Sequence, residues 1–187
     1  MAPTDRRATR RLLLRGWTDA DREPFATMNA DPVVMEFFPA PLKRAESDAF
    51  VDRIEAMFDA HGFGLWVVER RADRAFLGFT GLAPVRDDIL PAGAIEVGWR
   101  LARSAWGQGY ATEAAGEALR VGFGTAGLAE IVSFTAAVNH PSRRVMERLG
   151  MRHDPVDDFD HPAVPPGSPI RPHVLYRLRR QDWSADA

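Results

Sequence analysis

A pair of glycines stands directly before a run of helix-forming residues in WGQGYATEAAGEAL, residues 106–119. Apolar residues recur at helical spacing from Ala111 to about Thr125, which predicts a helix that begins just after Gly109. The first turn of a helix has unpaired N–H groups and a partial positive charge, and both favour phosphate binding. Glycine lets the backbone approach such a ligand without a Cβ, yet a tight turn also needs glycine. Spacing alone therefore leaves a phosphate site and a plain turn equally open.

Neither of the two common nucleotide-binding motifs explains these glycines. A Walker loop requires Lys followed by Ser or Thr after the second glycine, whereas Tyr110 and Ala111 occupy those positions. A literal dinucleotide fingerprint, GFGTAG at residues 122–127, lies at the end of the predicted helix instead of before one. We expect that second match to be a C-terminal cap and turn.

A carboxylate interrupts the apolar strand predicted for AIEVGWRL, residues 94–101. Strand alternation places Glu96 on the face opposite Ile95, Val97 and Trp99. A carboxylate in the middle of a central strand costs free energy unless it is paired or solvated by a pocket. Glu96 is therefore either a functional group or an ion-paired, solvent-facing residue on a half-exposed sheet.

The elements that must position these residues follow from the hydrophobic pattern and the turn signals. The predicted strands span residues 9–15, 63–69, 75–85, 94–101, 131–138, 151–153 and 173–180. The predicted helices span residues 21–30, 44–60, 111–125 and 141–150, and Thr18-Asp19 caps the first of them. Residues 154–172 contain too many prolines for regular structure. This order predicts an α/β fold with a mixed central sheet of about seven strands flanked by helices.

Length and composition limit the class of protein. The 187 residues and 20.8 kDa fit a single domain, which we place at residues 8–182 with flexible termini at 1–7 and 183–187. The formal charge of -2 gives no reason to expect nucleic-acid binding. The lack of cysteine excludes disulfides, thiolate metal sites and a cysteine nucleophile, and it suits a reducing cytoplasm.

No targeting or membrane segment is predicted. The opening RRATRRLLLRGW has three consecutive leucines, short of the about 7 to 15 apolar residues of a signal peptide. No other stretch approaches the roughly 18 apolar residues of a membrane helix. We therefore expect a cytoplasmic protein without a membrane partner.

Histidines and aspartates cluster near the C-terminus, but their spacing matches no metal-ligand template and prolines interrupt it. The residues concerned are His153, Asp157, Asp158, Asp160 and His161. We predict no metal. Instead, the segment DFDHPAVPPGSPIRPH is expected to form a long loop over the acceptor side of a cleft, since long loops of this kind are often functional.

Three neighbouring segments together resemble the GNAT N-acetyltransferase superfamily: IEVGWRL, WGQGYATEA and VNHPSRRVMERLGM. Further segments along nearly the whole chain look like its branch of ribosomal-protein N-terminal acetyltransferases (RimJ/RimL-like). They are LLLRGWTDADREPFATMNADPVVMEFF, GLWVVE, FLGFTGL and HVLYRL. The resemblance implies a mixed sheet that is splayed at its centre, with acetyl-coenzyme A bound in the opening.

The resemblance also implies which residues bind the coenzyme. Its pyrophosphate is expected on the backbone amides of Gly107, Gln108, Gly109, Tyr110, Ala111 and Thr112. Further predicted coenzyme contacts are Trp99, Arg100, Leu101, Asn139, Ser142 and Arg143. The superfamily usually has Gln or Arg three positions before the first glycine, where this chain has Ser104 beside Arg103. Asn139 and Ser142 are also residue types that cap helices.

Acetyl transfer to an amine benefits from a base, because an alkyl ammonium has a pKa near ~10.4 and an α-amine about 7.7 to 8. Glu96 resembles the glutamate that some superfamily members use as general base through water. Many relatives have a tyrosine as general acid where this chain has Met146, which cannot donate a proton. Ser142 is the substitute that the ribosomal-protein branch implies. Phe37 and Phe38 are expected to line the acceptor pocket.

The sequence predicts an acetyl-coenzyme A-dependent N-acetyltransferase that acts by direct attack of a neutral amine. Its acceptor is either a protein N-terminus or a small amine, and the sequence favours neither. A non-catalytic acyl-coenzyme A sensor is the alternative, because Met146 replaces the tyrosine. The final strand HVLYRL is expected to be exposed and could pair with a second copy to form a homodimer, the commonest kind of oligomer.

Overall fold

The structure, a computed structural model, describes residues 6–184. Within this range nine strands form one sheet: β1 (Arg7–Ala8), β2 (Leu12–Arg15), β3 (Leu65–Arg70), β4 (Phe76–Pro84), β5 (Ile95–Leu101), β6 (Glu130–Ala136), β7 (Arg152–His153), β8 (Phe159–Asp160) and β9 (Pro172–Arg179). The α-helices are α1 (Arg22–Ala30), α2 (Arg44–His61), α3 (Tyr110–Arg120) and α4 (His140–Arg148). The predicted α/β fold is confirmed, with two more strands than the about seven expected from turn spacing. The additions, β1 and β8, have two residues each, too few to give an alternating pattern.

The sheet order is β1-β2-β3-β4-β5-β6-β9-β7, and β8 also pairs with β9. All neighbouring strands are antiparallel except β5 and β6, which are parallel. A parallel pair needs a long crossover connection, and α3 provides it. The glycine-containing turn therefore lies at the C-terminal end of β5, where α/β proteins commonly bind ligands.

Helices cover both faces of the sheet. On the α1–α2 face, Phe25 of α1 and Val51 and Ile54 of α2 are buried with Val67 and Phe79 of the sheet. The opposite face, the α3–α4 face, has a larger core. It includes Leu82, Val97, Leu101, Ala114, Ala118, Leu119, Ile131, Met146 and Leu178. Val97 and Leu101 are on this second face, so alternation places Glu96 on the α1–α2 face, as predicted.

Two helix ends behave as the sequence predicts. Helix α2 ends at His61, and Gly62 follows in the left-handed conformation with φ 72°. Helix α3 is shorter than the predicted 111–125, because its last turn widens into a π-helical turn over residues 121–125. Gly127, with φ 66°, then ends this turn, and Leu128 N donates to Gly122 O at 2.9 Å. The GFGTAG segment is therefore a helix cap, as expected.

Three further predictions differ from the structure. The first strand begins at Leu12 instead of residue 9, since Thr9 and Leu12 form a turn in which Thr9 N donates to Leu12 O at 2.9 Å. The proline-rich segment contains β8, which pairs with β9 because Phe159 packs on Phe134. Strand β9 is not an edge strand, since β6 lies on one side and β7 and β8 on the other. A second copy therefore cannot pair with β9 as an exposed edge strand, which corrects the predicted route to a homodimer.

The predicted domain, residues 8–182, lies within the described range. Ordered structure extends one residue beyond it at each end: Arg7 pairs with Leu14, and the Trp183 ring packs on Phe123 with ring centroids 5.3 Å apart. The remaining terminal residues, 1–5 and 185–187, lie outside the described residues. No helix in the described chain is long and apolar enough to cross a membrane.

Candidate active site

The sheet opens between β5 and β6. These parallel strands share one bridge pair, Glu96 with Val132, whereas residues 97–101 of β5 and 133–136 of β6 have no partner in the other strand. The strands therefore separate toward their C-terminal ends, and the predicted central splay is confirmed. We call the space between these two unpaired segments the opening.

The backbone of β5 directs polar groups into the opening. Ala102 N donates to Leu77 O at 2.8 Å, which extends the ladder between β4 and β5. Hydrogen-bonded pairs alternate in an antiparallel ladder, so the even-numbered residues of β5, such as Arg100, bond to β4. The odd-numbered residues Trp99 and Leu101 consequently direct their N–H and C=O groups away from β4, toward β6. This edge can bond an extended ligand.

The glycine turn stands at the end of this edge. Gly107 has φ 73° and Gly109 has φ 76°, the left-handed conformation that glycine adopts without strain. A Cβ on Gly107 would meet no atom within 4 Å beyond its chain neighbours in the described residues, so the backbone there is open to a ligand. Gly109 is the N-cap of α3, and the first-turn N–H groups of Tyr110, Ala111 and Thr112 follow it. This is a phosphate-binding geometry.

Side chains of the turn support the backbone instead of facing a ligand. Gln108 Nε2 donates to Ser104 O at 3.0 Å. The Thr112 hydroxyl is enclosed by protein and has no partner among residues 6–184, so only its N–H is offered at the helix start. Trp106, the first residue of the WGQGY segment but not among the predicted site residues, donates from Nε1 to Leu101 O at 2.8 Å. That bond fixes the turn to the end of β5.

Arg11 is a second residue near the turn that the sequence did not indicate. Its guanidinium lies 4.5 Å from the centre of the Tyr110 ring, and its Nε donates to Glu113 Oε2 at 2.7 Å. Its Nη2 lies 3.5 Å from the position that a Cβ on Gly109 would take. Arg11 therefore places a positive charge beside the predicted phosphate site. Its contact with Glu113 joins residues that are 102 positions apart in the sequence.

Glu96 lies where β5 and β6 begin to separate. Its side chain is half-buried, and no hydrogen bond or ion pair joins its carboxylate to residues 6–184. Burial without a partner raises the pKa of Glu96 from 4.5 to about 7. The other buried acids behave differently: Glu69 and Asp21 both pair with Arg15. An unpaired carboxylate with a pKa near neutrality is suited to accepting a proton.

The start of α4 borders the opening from the β6 side. Asn139 is the N-cap, with Oδ1 accepting from Ser142 N at 3.2 Å and Nδ2 donating to Thr135 Oγ1 at 2.9 Å. The capping function named for Asn139 is thus present. The half-buried Ser142 hydroxyl has no hydrogen bond within residues 6–184. Arg143 donates to Ala137 O at 3.0 Å, so its guanidinium holds the end of β6.

The chain has two tyrosines, and neither lies in the opening. Tyr110 packs against Arg11. Tyr176 donates to Glu147 Oε1 at 3.1 Å and stacks on His153, beyond β6 from the opening. Met146 is 1% exposed in the core of the α3–α4 face. No tyrosine hydroxyl is therefore placed to act as an acid there.

On the α1–α2 face, an arginine of β5 packs against an aromatic ring. Arg100 is on the Glu96 side of β5, and its guanidinium carbon lies 4.1 Å from the centre of the Phe38 ring. Phe38 is 38% exposed, so it lines the rim, whereas Phe37 is half-buried. The Arg100 side chain thus points away from the glycine turn, and its backbone bonds to β4 instead of facing the opening. This differs from the coenzyme contact expected of Arg100.

The loop from 154 to 171 packs beside the opening, on the Glu96 side of β6. The Phe159 ring contacts Phe134, and the His161 and His173 rings are 4.8 Å apart. Burial lowers the pKa of both histidines, so both imidazoles are uncharged at neutral pH. Within the described chain no three His, Asp or Glu side chains are placed to hold a metal.

Comparisons with known proteins agree with this geometry. The family model for the acetyltransferase (GNAT) domain matches residues 11–152. The chain is 32% identical over 182 residues to an Aspergillus fumigatus protein named FsC-acetyl coenzyme A-N(2)-transacetylase, an alignment that covers 94% of this chain and 76% of that protein.

Solved structures show the same fold. An acetyltransferase from Agrobacterium tumefaciens superposes with a TM-score of 0.76 at 25% identity, covering 94% of each chain. A Vibrio cholerae structure described as a ribosomal-protein-serine acetyltransferase gives a TM-score of 0.74 at 17% identity, covering 96% of this chain and 99% of that one, and supports the fold alone. With the family match over most of its length, the chain belongs to the GNAT acetyltransferase family, whose members are acyltransferases that use acetyl-coenzyme A.

Proposed function

We propose that this protein is an N-acetyltransferase that moves an acetyl group from acetyl-coenzyme A to a primary amine by direct attack. The observation that carries the proposal is the unpaired Glu96 carboxylate at the point where β5 and β6 separate. A base with a pKa of about 7 is matched to a reaction that must deprotonate an amine near neutral pH.

The residues around the opening fit the coenzyme. The N–H groups from Gly107 to Thr112 would hold the pyrophosphate, with the Arg11 charge beside them. The N–H and C=O groups of Trp99 would bond the amides of the extended arm, as strand neighbours do. Bound acetyl-coenzyme A supplies the thioester acyl group and leaves as the thiol.

Glu96 would accept the proton of the attacking amine, directly or through one water. At pH 7 about half of the Glu96 side chains are ionised when the pKa is about 7. The carboxylate also makes no bond to residues 6–184 that would have to break before it accepts a proton. Its position on the α1–α2 face would bring the acceptor in from the side of Phe38, whose ring packs on Arg100.

Ser142 would donate a hydrogen bond to the departing sulfur. Its N–H is used in the helix cap, but its hydroxyl is free of partners within the described residues. A serine hydroxyl is a weak acid, so this contact stabilises charge on the sulfur more than it delivers a proton. Protonation of the thiolate then comes from solvent.

Two classes of primary amine are candidates for the acceptor. The Aspergillus fumigatus relative carries N(2)-transacetylase in its name, whereas the Vibrio cholerae structure is described as acting on a ribosomal protein. Identity to the former is 32%, against 17% to the latter. We therefore favour a small amine over a ribosomal-protein N-terminus, although the motifs quoted above resemble the RimJ/RimL-like branch.

The test is calorimetry with acetyl-coenzyme A, followed by a free-thiol release assay across a panel of primary amines. The proposal expects coenzyme binding and thiol release that depends on the amine. Binding without amine-dependent release would indicate the non-catalytic sensor that the absence of a tyrosine at Met146 leaves open. No binding would refute both functions.

A further inference from the structure

Arg100 has an unusual environment on the strand that carries the proposed base. It lies on the same face of β5 as Glu96, and its Nη1 donates to Asn29 Oδ1 at 2.7 Å. The guanidinium carbon lies 4.1 Å from the centre of the Phe38 ring and 5.5 Å from that of Phe79. These contacts come from α1, the segment after it and β4, so the side chain has a defined position.

The positive charge of Arg100 has no counterion in the described chain. Its protein acceptor is the neutral amide of Asn29, and its Nε is enclosed by protein without any hydrogen-bond partner among residues 6–184. Most other half-buried arginines pair with carboxylates, among them Arg11, Arg15, Arg22, Arg171 and Arg177. Arg143 instead binds the Ala137 carbonyl and, unlike Arg100, has no enclosed nitrogen without a partner in the described chain. A buried charge without a partner is costly, and such groups occur where a ligand supplies the partner.

One edge of the guanidinium remains available to a ligand. Nη2 forms no hydrogen bond with the described residues, and the side chain as a whole is only half-buried. Phe38 covers one face of the group and forms the exposed rim of the site. Arginine binds carboxylates through two N–H groups in one plane.

We propose that Arg100 binds a carboxylate of the acceptor, so that the substrate is an amine that also carries a carboxylate. This inference rests on the proposed function, since it takes the acceptor amine to lie at Glu96. Glu96 and Arg100 are four residues apart on one strand, about 13 Å between their Cα atoms. The amine and the carboxylate are therefore several bonds apart, as in an ω-aminocarboxylate or a short peptide, and not on one carbon.

The experiment compares matched acceptors. Straight-chain ω-aminocarboxylates of increasing length and the primary amide of each are assayed for thiol release from acetyl-coenzyme A. The wild type is expected to prefer the longer carboxylates over their amides by roughly 10- to 100-fold in kcat/KM, mostly through KM, which is the range of a charge-assisted hydrogen bond. Arg100→Gln should lose this preference, and Arg100→Lys should recover part of it.

Arg53→Gln is the matched control. Arg53 lies over the Phe50 ring, 5.3 Å from its centre, and Arg100 lies 5.9 Å from the centre of the same ring, but Arg53 is exposed on α2. This variant should keep the preference for carboxylates. Equal rates with acids and amides in the wild type would overturn the proposal and leave the proposed function intact. An equal loss on acids and amides in Arg100→Gln would show a structural role and would also overturn it.

A second readout does not depend on turnover. In the presence of coenzyme A, longer ω-aminocarboxylates should raise the Tm of the wild type more than their amides do, and this difference should vanish in Arg100→Gln. If no amine releases thiol but the Tm difference is present, the acetyl-transfer function fails while carboxylate binding stands. If neither is observed, the carboxylate proposal is overturned.

Discussion

Replacing Glu96 by glutamine should slow the enzyme and stabilise its fold at the same time. The raised pKa means that the folded state holds a proton on Glu96 between pH 4.5 and about 7, whereas the unfolded chain has lost it. Wild-type stability therefore falls as pH rises through this interval. The difference from the ordinary pKa corresponds to up to about 3 kcal/mol by pH 8. Glutamine has the same shape and no charge, so Glu96→Gln avoids this loss.

Two measurements on Glu96→Gln follow. Urea unfolding should give nearly equal stability for the variant and the wild type near pH 4, and a variant more stable by up to about 3 kcal/mol at pH 8. In the thiol-release assay, the variant should lose about 100- to 10,000-fold in kcat. The ratio of wild-type to variant kcat/KM should rise about tenfold per pH unit below 7 and level off above it. Taking this ratio removes the titration of the amine itself.

Glu36→Gln provides the control, since Glu36 is exposed and lies outside the opening. It should leave both the pH profile and the stability difference unchanged. A pH–rate profile of Glu96→Gln parallel to that of the wild type would show that Glu96 is not the base. Equal stability of the two proteins at pH 8 would likewise show that the carboxylate is solvated like an ordinary glutamate.

Further predictions concern the backbone of the site and the leaving group. Gly109→Ala should weaken acetyl-coenzyme A binding about tenfold in calorimetry, because φ 76° costs an alanine about 1–2 kcal/mol and shifts the turn. Unchanged affinity would show that the turn does not bind the coenzyme. Gly78→Ala should lower the free energy of unfolding by at least about 2 kcal/mol, since φ is 132° and its Cβ would lie 2.1 Å from Arg100 O. Gly98→Ala, which meets no atom within 4 Å, should cost under about 1 kcal/mol in the same urea titration. Ser142→Ala should lower kcat about 2- to 10-fold without changing Tm, because the helix cap uses the Ser142 N–H and not its hydroxyl; a loss of Tm would assign the hydroxyl a structural role.

Local patterns were sufficient to predict the elements that position the site. Residues close in sequence determine both the apolar spacing of α2 and the left-handed glycine, Gly62, that follows it. The structure contains both features. Alternation along β5 also places Glu96 on the α1–α2 face. The same alternation applies to Arg100, so its side-chain direction was available from the sequence, although the resemblance suggested a coenzyme contact there.

What could not be predicted depends on contacts between distant residues. Arg100 meets Asn29 across 71 residues, and Arg11 meets Glu113 across 102 residues. The pairing of β8 with β9 covers the edge that the sequence HVLYRL was predicted to expose. Strand β8 has only two residues, too few for a periodic pattern that would predict it. The pKa of Glu96 likewise depends on the lack of a partner within the folded chain, which a single strand cannot indicate.

The central claim is that acetyl-coenzyme A binds in the opening with its thioester near Glu96. A crystal structure of the complex with the coenzyme tests this most directly. We expect pyrophosphate density on the N–H groups from Gly107 to Thr112, the extended arm along the Trp99 edge of β5, and the thioester within one water of the Glu96 carboxylate. Coenzyme density outside the opening, or a thioester on the α3–α4 face away from Glu96, would contradict it.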